Sequence, residues 1–226
     1  MRDLILLVPD KNTEFTVRGA LSRPEALGIR PIDFQVLVDQ GRDGGVRRRG
    51  SQVLGGQQAR FSHGLLLLDH EGSGSHAAPV DLEAELDLSL SVMWGNRAKA
   101  IVIDPEVDVW MWGAETHLRS MVDWHFPEDI RPWLASESFI FTADGKPARP
   151  KEALEAAFRR AQTPRSSERY EHVASKISKT RCKDEAFLRL RTSRSPGLAY
   201  RSQRPQAAYC NHAPGRRKST GRCSSS

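Results

Sequence analysis

The chain has few cysteines: three in 226 residues, Cys182, Cys210 and Cys223, an odd number without a Cys-x-x-Cys spacing. That excludes a disulfide framework. No apolar run approaches the roughly 18 residues of a membrane span. The stretch Leu4–Val8 behind Met1-Arg2-Asp3 is too short for the apolar region of a signal peptide. There is no Gly-x-x-x-x-Gly-Lys-[Ser/Thr], so nucleotide hydrolysis would have to come from a partner ATPase acting in trans. No Gly-x-Gly-x-x-Gly follows the first apolar run, which argues against a dinucleotide fold. Hydrophobic residues reach only 38%, below the roughly 45–50% of globular chains, a range that also counts glycine. A cytoplasmic α/β protein with no membrane partner is left.

The shortage of hydrophobic residues is concentrated at one end. Residues 192–226 hold no Ile, Val, Phe, Met or Trp, seven basic residues and no acid. Residues 1–191 keep 27 basic and 28 acidic residues, a net charge of −1. The overall charge of +6 therefore belongs to the tail. Such a segment cannot bury a core and is expected to be disordered. It reads either as a basic arm for nucleic-acid phosphates or as out-of-frame translation of a GC-rich gene. The abrupt end of the helical pattern at Thr192 favours the second.

The body alternates strands and helices. Leu4–Val8, His63–Leu68 and Lys99–Ile103 are apolar runs suited to buried strands, and Ile32–Val38 reads as a strand with partial alternation. Helical patterns follow from Thr13, over about Pro79–Val92, and through Val107–Trp112. More are expected at about Glu115–Val122, Pro150–Ala161, Ser166–Ile177 and Asp184–Arg191. The Gly- and Arg-rich stretch Asp39–Gly56 reads as a long loop, and Pro147–Pro150 as a linker. This order predicts a mainly parallel, Rossmann-like sheet covered by helices. The expected division is an α/β domain over 1–135, a helical extension over 136–191 and the tail over 192–226.

Acids gather where strands end: Asp10 with Glu14 a turn later, Asp69 with Glu71, and Asp104 with Glu106. In open parallel sheets ligands bind at the carboxyl ends of the strands. Carboxylates crowded there repel one another unless a cation or a proton intervenes. Hard oxygen donors without cysteine suit Mg²⁺ or Mn²⁺, and a pair of such ions can hold a phosphodiester. Each acid read singly is a helix cap or a loop residue. Arg47, Arg48 and Arg49 are candidates for contact with nucleic-acid phosphates, or a solvated basic loop. Trp94, Trp110 and Trp112 could stack on bases, but tryptophans beside a sheet are more often core anchors. His70 and His76 with Glu71 match no strong zinc template, and Ser73 and Ser75 sit in no nucleophile elbow.

Three segments carry a resemblance. Leu7-Val-Pro-Asp-Lys-Asn-Thr-Glu14 stands where Toprim-type domains have their first acidic motif. Leu67-Leu-Asp-His-Glu-Gly-Ser-Gly74 stands where they have Asp-x-Asp, here ending in Glu71. Ile103-Asp-Pro-Glu-Val-Asp-Val-Trp110 resembles a later acidic segment of uncharacterised bacterial Toprim-like proteins. Residues 1–191 look like one such family, similar to components of methylation-associated phage-defence systems. The resemblance implies a metal-dependent nuclease. Asp10, Asp69 and Glu71 would be metal ligands, and Asp104 and Glu106 would position a second ion. Glu14 and Asp69 would be catalytic, with Glu14 as general acid or base. The alternative is a non-catalytic scaffold or sensor subunit that keeps the fold and binds partner proteins of the same system.

Overall fold

The computed structural model describes residues 1–113, 115–177 and 184–192. The elements run β1 (Arg2–Val8), α1 (Lys11–Leu21), α2 (Pro24–Leu27), β2 (Phe34–Val38), α3 (Arg42–Gly55), β3 (Phe61–Asp69), α4 (Pro79–Trp94) and β4 (Ala98–Ile103). A 3₁₀ segment over Val107–Gly113 follows, then α5 (Glu115–Val122), α6 (Ile130–Ser136), α7 (Pro150–Arg160), α8 (Ser167–Ala174) and α9 (Glu185–Thr192). The sheet has four strands in the order β2-β1-β3-β4, and every neighbouring pair is parallel. The protein is thus an α/β protein with a parallel sheet flanked by helices, as the alternating pattern predicts. Among the described residues no helix is long and apolar enough to cross a membrane.

The topology dictates which helix covers which face. The chain steps from β1 outward to β2, then crosses back over β1 to β3 and on to β4. With right-handed crossovers, α1 must lie on one face and α3 and α4 on the other. Strand periodicity then sorts the side chains. Leu4, Leu6, Val8, Leu65, Leu67, Ile101 and Ile103 share a core with α1 and the elements that follow β4. Ile5, Leu7, Leu66, Leu68, Ala100 and Val102 share the other core with Val46 and Leu54 of α3 and Leu82, Leu86, Leu90 and Trp94 of α4. The helices beyond residue 135 fill the space beside α1: Leu154, Ala157, Phe158, Tyr170 and Val173 belong to the same cluster as the strands. Helices α1 and α8 approach closely at Gly19, where a Cβ would stand 2.2 Å from the Glu171 carbonyl oxygen.

One expectation fails outright. The stretch read as a loop, 39–56, holds the helix α3. Its glycines serve close packing. A Cβ at Gly50 would stand 2.4 Å from Leu66 Cδ1 and 3.3 Å from Leu7 Cδ2, so the helix backbone lies directly on the sheet. Arginine is itself a good helix former, and buried Val46 and Leu54 mark the inward face. Pro147 is likewise no free linker. It pairs with Phe141 as an antiparallel bridge, and Ala148 N–H donates to the Ile140 carbonyl at 2.9 Å. Helix α6 is an element that the sequence pattern does not predict. The basic tail lies outside the described residues, except for Thr192 at the end of α9.

Trp94, Trp110 and Trp112 are all buried. Two indole N–H groups find acceptors, Trp110 on Asp184 at 2.9 Å and Trp112 on the Pro150 carbonyl at 3.1 Å. These rings are core anchors.

Candidate functional site

The carboxyl ends of the strands bring acids together from four directions. Asp10 follows β1 and caps α1, its Oδ1 accepting the Thr13 N–H at 2.8 Å. Asp43, in the first turn of α3, accepts the Asp69 backbone N–H at 2.7 Å. Asp69 ends β3, and its Oδ1 accepts the Val107 N–H at 2.9 Å. Glu106 and Asp108, either side of Val107, are both buried.

Their electrostatics are those of a site with too little positive charge. Burial pushes the Asp69 carboxyl well above the ordinary carboxylate range, and Asp43, Asp10, Asp108 and Glu106 push it further. Burial also raises Asp43, although the Asp69 N–H works against it. Glu106 is pushed up to about 7 by burial and by Asp108, while Lys151 opposes the shift. The Lys151 ammonium stands 3.6 Å from Glu106, and the Lys151 backbone N–H donates to the same carboxylate at 3.2 Å. Asp108 is raised by burial, against the pull of Arg165 and Tyr170. Its Oδ1 accepts the Tyr170 hydroxyl at 2.7 Å and the Arg165 guanidinium at 3.0 Å.

Of the remaining candidates Glu71 is near enough to push Glu106 up, and the others are held by partners elsewhere or exposed. Glu14 is held by Lys11 and Arg18, each at 2.8 Å. Burial works against the Glu14 charge, but the hydrogen bonds from these two cations outweigh it and hold the carboxyl below its ordinary range. A carboxylate so held is a weak proton acceptor. Glu71 is exposed in the turn after β3. Asp104 is also exposed, with His70 Nδ1 at 3.7 Å. The three arginines stand on α3. Arg49 grips Asp39 through two hydrogen bonds, of 2.9 and 2.6 Å, and Arg47 donates to the Gly74 carbonyl at 2.9 Å. Arg48 is exposed.

No family model, no curated protein and no solved structure matches the chain.

Among the described residues no group of three His, Cys, Asp or Glu side chains is arranged to hold a metal ion. The charge of the crevice fits a divalent cation, whereas the placement of its oxygens does not. Asp69 and Asp10 each turn one oxygen to a backbone amide, and Glu106 and Asp108 face Lys151 and Arg165. What the arrangement does is join pieces of chain. It ties the end of β3 to α3 and to the 3₁₀ segment, and that segment to α7 and α8.

Asp39, Asp43, Asp108, Lys151, Arg165 and Tyr170 were not among the sequence candidates. Asp43 was hidden by the loop reading of α3. Asp108 continues the acidic spacing Asp104-x-Glu106-x-Asp108 and was within reach of the sequence. Asp39 directly follows β2, while Lys151 and Tyr170 come from helices far along the chain and Arg165 from the loop between them.

Proposed function

We propose that the chain is a cytoplasmic, Toprim-like component of a bacterial anti-phage defence system that acts as a scaffold or sensor subunit, binding partner proteins of that system. The supporting observation is that the acids at the strand ends are committed to holding the fold: Asp10 to α1, Asp43 to β3, Asp69 to Val107, Glu106 to α7 and Asp108 to α8. Glu14, the acid or base of the catalytic reading, is clamped between two cations. The chemistry of the system, ATP hydrolysis included, would then lie in partner chains. The Toprim-type resemblance supports the choice of system.

A second reading has its own support. Asp43, Asp69 and Glu106 all carry raised carboxyls, which leaves the crevice able to gain from a cation. On that reading the chain is a Mg²⁺- or Mn²⁺-dependent nuclease acting on nucleic acid.

Calorimetric titration of the full chain with Mg²⁺ and Mn²⁺ separates the two. The scaffold reading expects no binding at millimolar metal by a protein that melts cooperatively. Binding that disappears in Asp69→Asn/Glu71→Gln would overturn it in favour of the nuclease.

A further inference from the structure

Helix α4 buries Leu82, Leu86, Leu90 and Trp94 against the sheet, yet its outer side is apolar too. Val80, Leu88 and Val92 are 66%, 72% and 83% exposed. With exposed Ala84 they recur every fourth residue, Val80-Ala84-Leu88-Val92. Residues four apart form one ridge on a helix surface, the ridge that another helix takes into its groove. At 1.5 Å per residue this ridge is about 18 Å long. A helix apolar on both sides is normally covered on both sides.

The charges beside the ridge say what kind of chain covers it. Helix α4 carries Asp81, Glu83, Glu85 and Asp87 and no basic residue. Glu83 pairs with Arg189 and Asp87 with Lys99. Asp81 and Glu85 are exposed, and among the described residues neither side chain makes an ion pair or hydrogen bond. A second copy docked about a two-fold axis would bring like charges together, which disfavours it. We infer that the outer face of α4 docks a partner protein through a basic amphipathic helix, whose apolar side covers Val80, Leu88 and Val92 and whose Lys or Arg residues meet Asp81 and Glu85. The surface lies on α4 and stands whichever reading of the acidic crevice holds.

The probe is a fluorescein-labelled Leu/Lys amphipathic helix of about 16 residues, long enough to cover the ridge. Its Leu/Glu counterpart is the control. Fluorescence anisotropy is read against the full chain, against Leu88→Ser/Val92→Ser, and against Asp81→Asn/Glu85→Gln. All four side chains are exposed, so each variant should melt as the parent does. The Leu/Lys peptide should bind the parent at low ionic strength, and binding should weaken with added salt. Binding should fall roughly tenfold or more in the Ser variant and several-fold in the Asn/Gln variant, with the Leu/Glu peptide silent. Failure of the Leu/Lys peptide to bind, or equal binding by parent and Ser variant, overturns the inference. So does a dimer in sedimentation that the Ser substitutions dissolve, since the occupant would then be a second copy.

Discussion

Asp43 accepts the backbone N–H of Asp69 at 2.7 Å, so two acids at the crevice are joined through the main chain of one and the side chain of the other. The bond fixes the end of β3 against α3, and it also sets the Asp43 carboxylate where it raises the cost of ionising Asp69. Asp69 has the higher cost, being almost fully buried with four acids around it.

Asp69→Asn tests that cost directly. The amide keeps an oxygen for the Val107 N–H and removes the charge. The variant is expected to melt a few degrees above the parent at pH 7.5, since about 1 kcal/mol moves Tm by ~2–4 °C in a chain of this size. As pH falls and the raised Asp69 carboxyl takes up its proton, the difference should shrink. A lower Tm at pH 7.5 would mean that the charge is compensated, and a bound cation would be the first candidate.

Glu106 gives the pH dependence its shape. Its folded pKa of about 7 lies above the ordinary 4.5, so the folded state holds the proton more tightly than the unfolded chain. Stability associated with this group is complete below about pH 4.5 and is lost as pH rises through 7. Melting temperatures of the parent should therefore fall between pH 5 and pH 8. In Glu106→Gln the decline should be visibly flatter, with the residual slope belonging to the other raised carboxyls, Asp69, Asp43 and Asp108. A parent whose melting temperature rises over that window would contradict the assignment.

The strands and most helices were legible because burial on both faces leaves continuous apolar runs, as in Leu65–Leu68, and because Pro79 and Pro150 stand at helix starts. Helix α3 was not, because Gly44, Gly45, Gly50 and Gly55 signal loops in sequence, whereas at Gly50 the glycine lets a helix settle onto Leu66 and Leu7. That misreading also hid Asp43. The acids at the strand ends were found by position. Their bonds to Val107, Tyr170 and Lys151 depend on which distant helix packs there, and residue spacing does not carry that information.

Gly50→Ala puts the packing account at risk. On an open helix face, Gly→Ala stabilises by about 1 kcal/mol. Here the new methyl would enter space held by Leu66, whose side chain is fully buried. Overpacking of a close contact costs ~1–3 kcal/mol, so a net loss of stability is expected. Combining Gly50→Ala with Leu66→Ala should cost less than the sum of the two single changes. Urea unfolding of the four proteins measures the coupling, and strict additivity would refute the contact.

Strand β4 is an edge, and its protection makes the sharpest test of how this sheet stays single. The Ala100 N–H donates to Asp87 at 2.7 Å and the Val102 N–H to Glu83 at 3.0 Å, while Arg189 donates to the Val102 carbonyl at 3.3 Å. Side chains of α4 and α9 thus occupy the positions that a fifth strand would use. Unpaired edge groups are a template for strand addition. Glu83→Ala/Asp87→Ala should lose about 1 kcal/mol per missing hydrogen bond and should self-associate with rising concentration in analytical ultracentrifugation. Glu83→Gln/Asp87→Asn keeps both acceptor oxygens and gives up only the ion pairs with Arg189 and Lys99, worth little where water has access. It should remain monodisperse wherever the parent is. If both variants aggregate alike, charge repulsion protects the edge; if only the alanine variant does, the hydrogen-bond acceptors do.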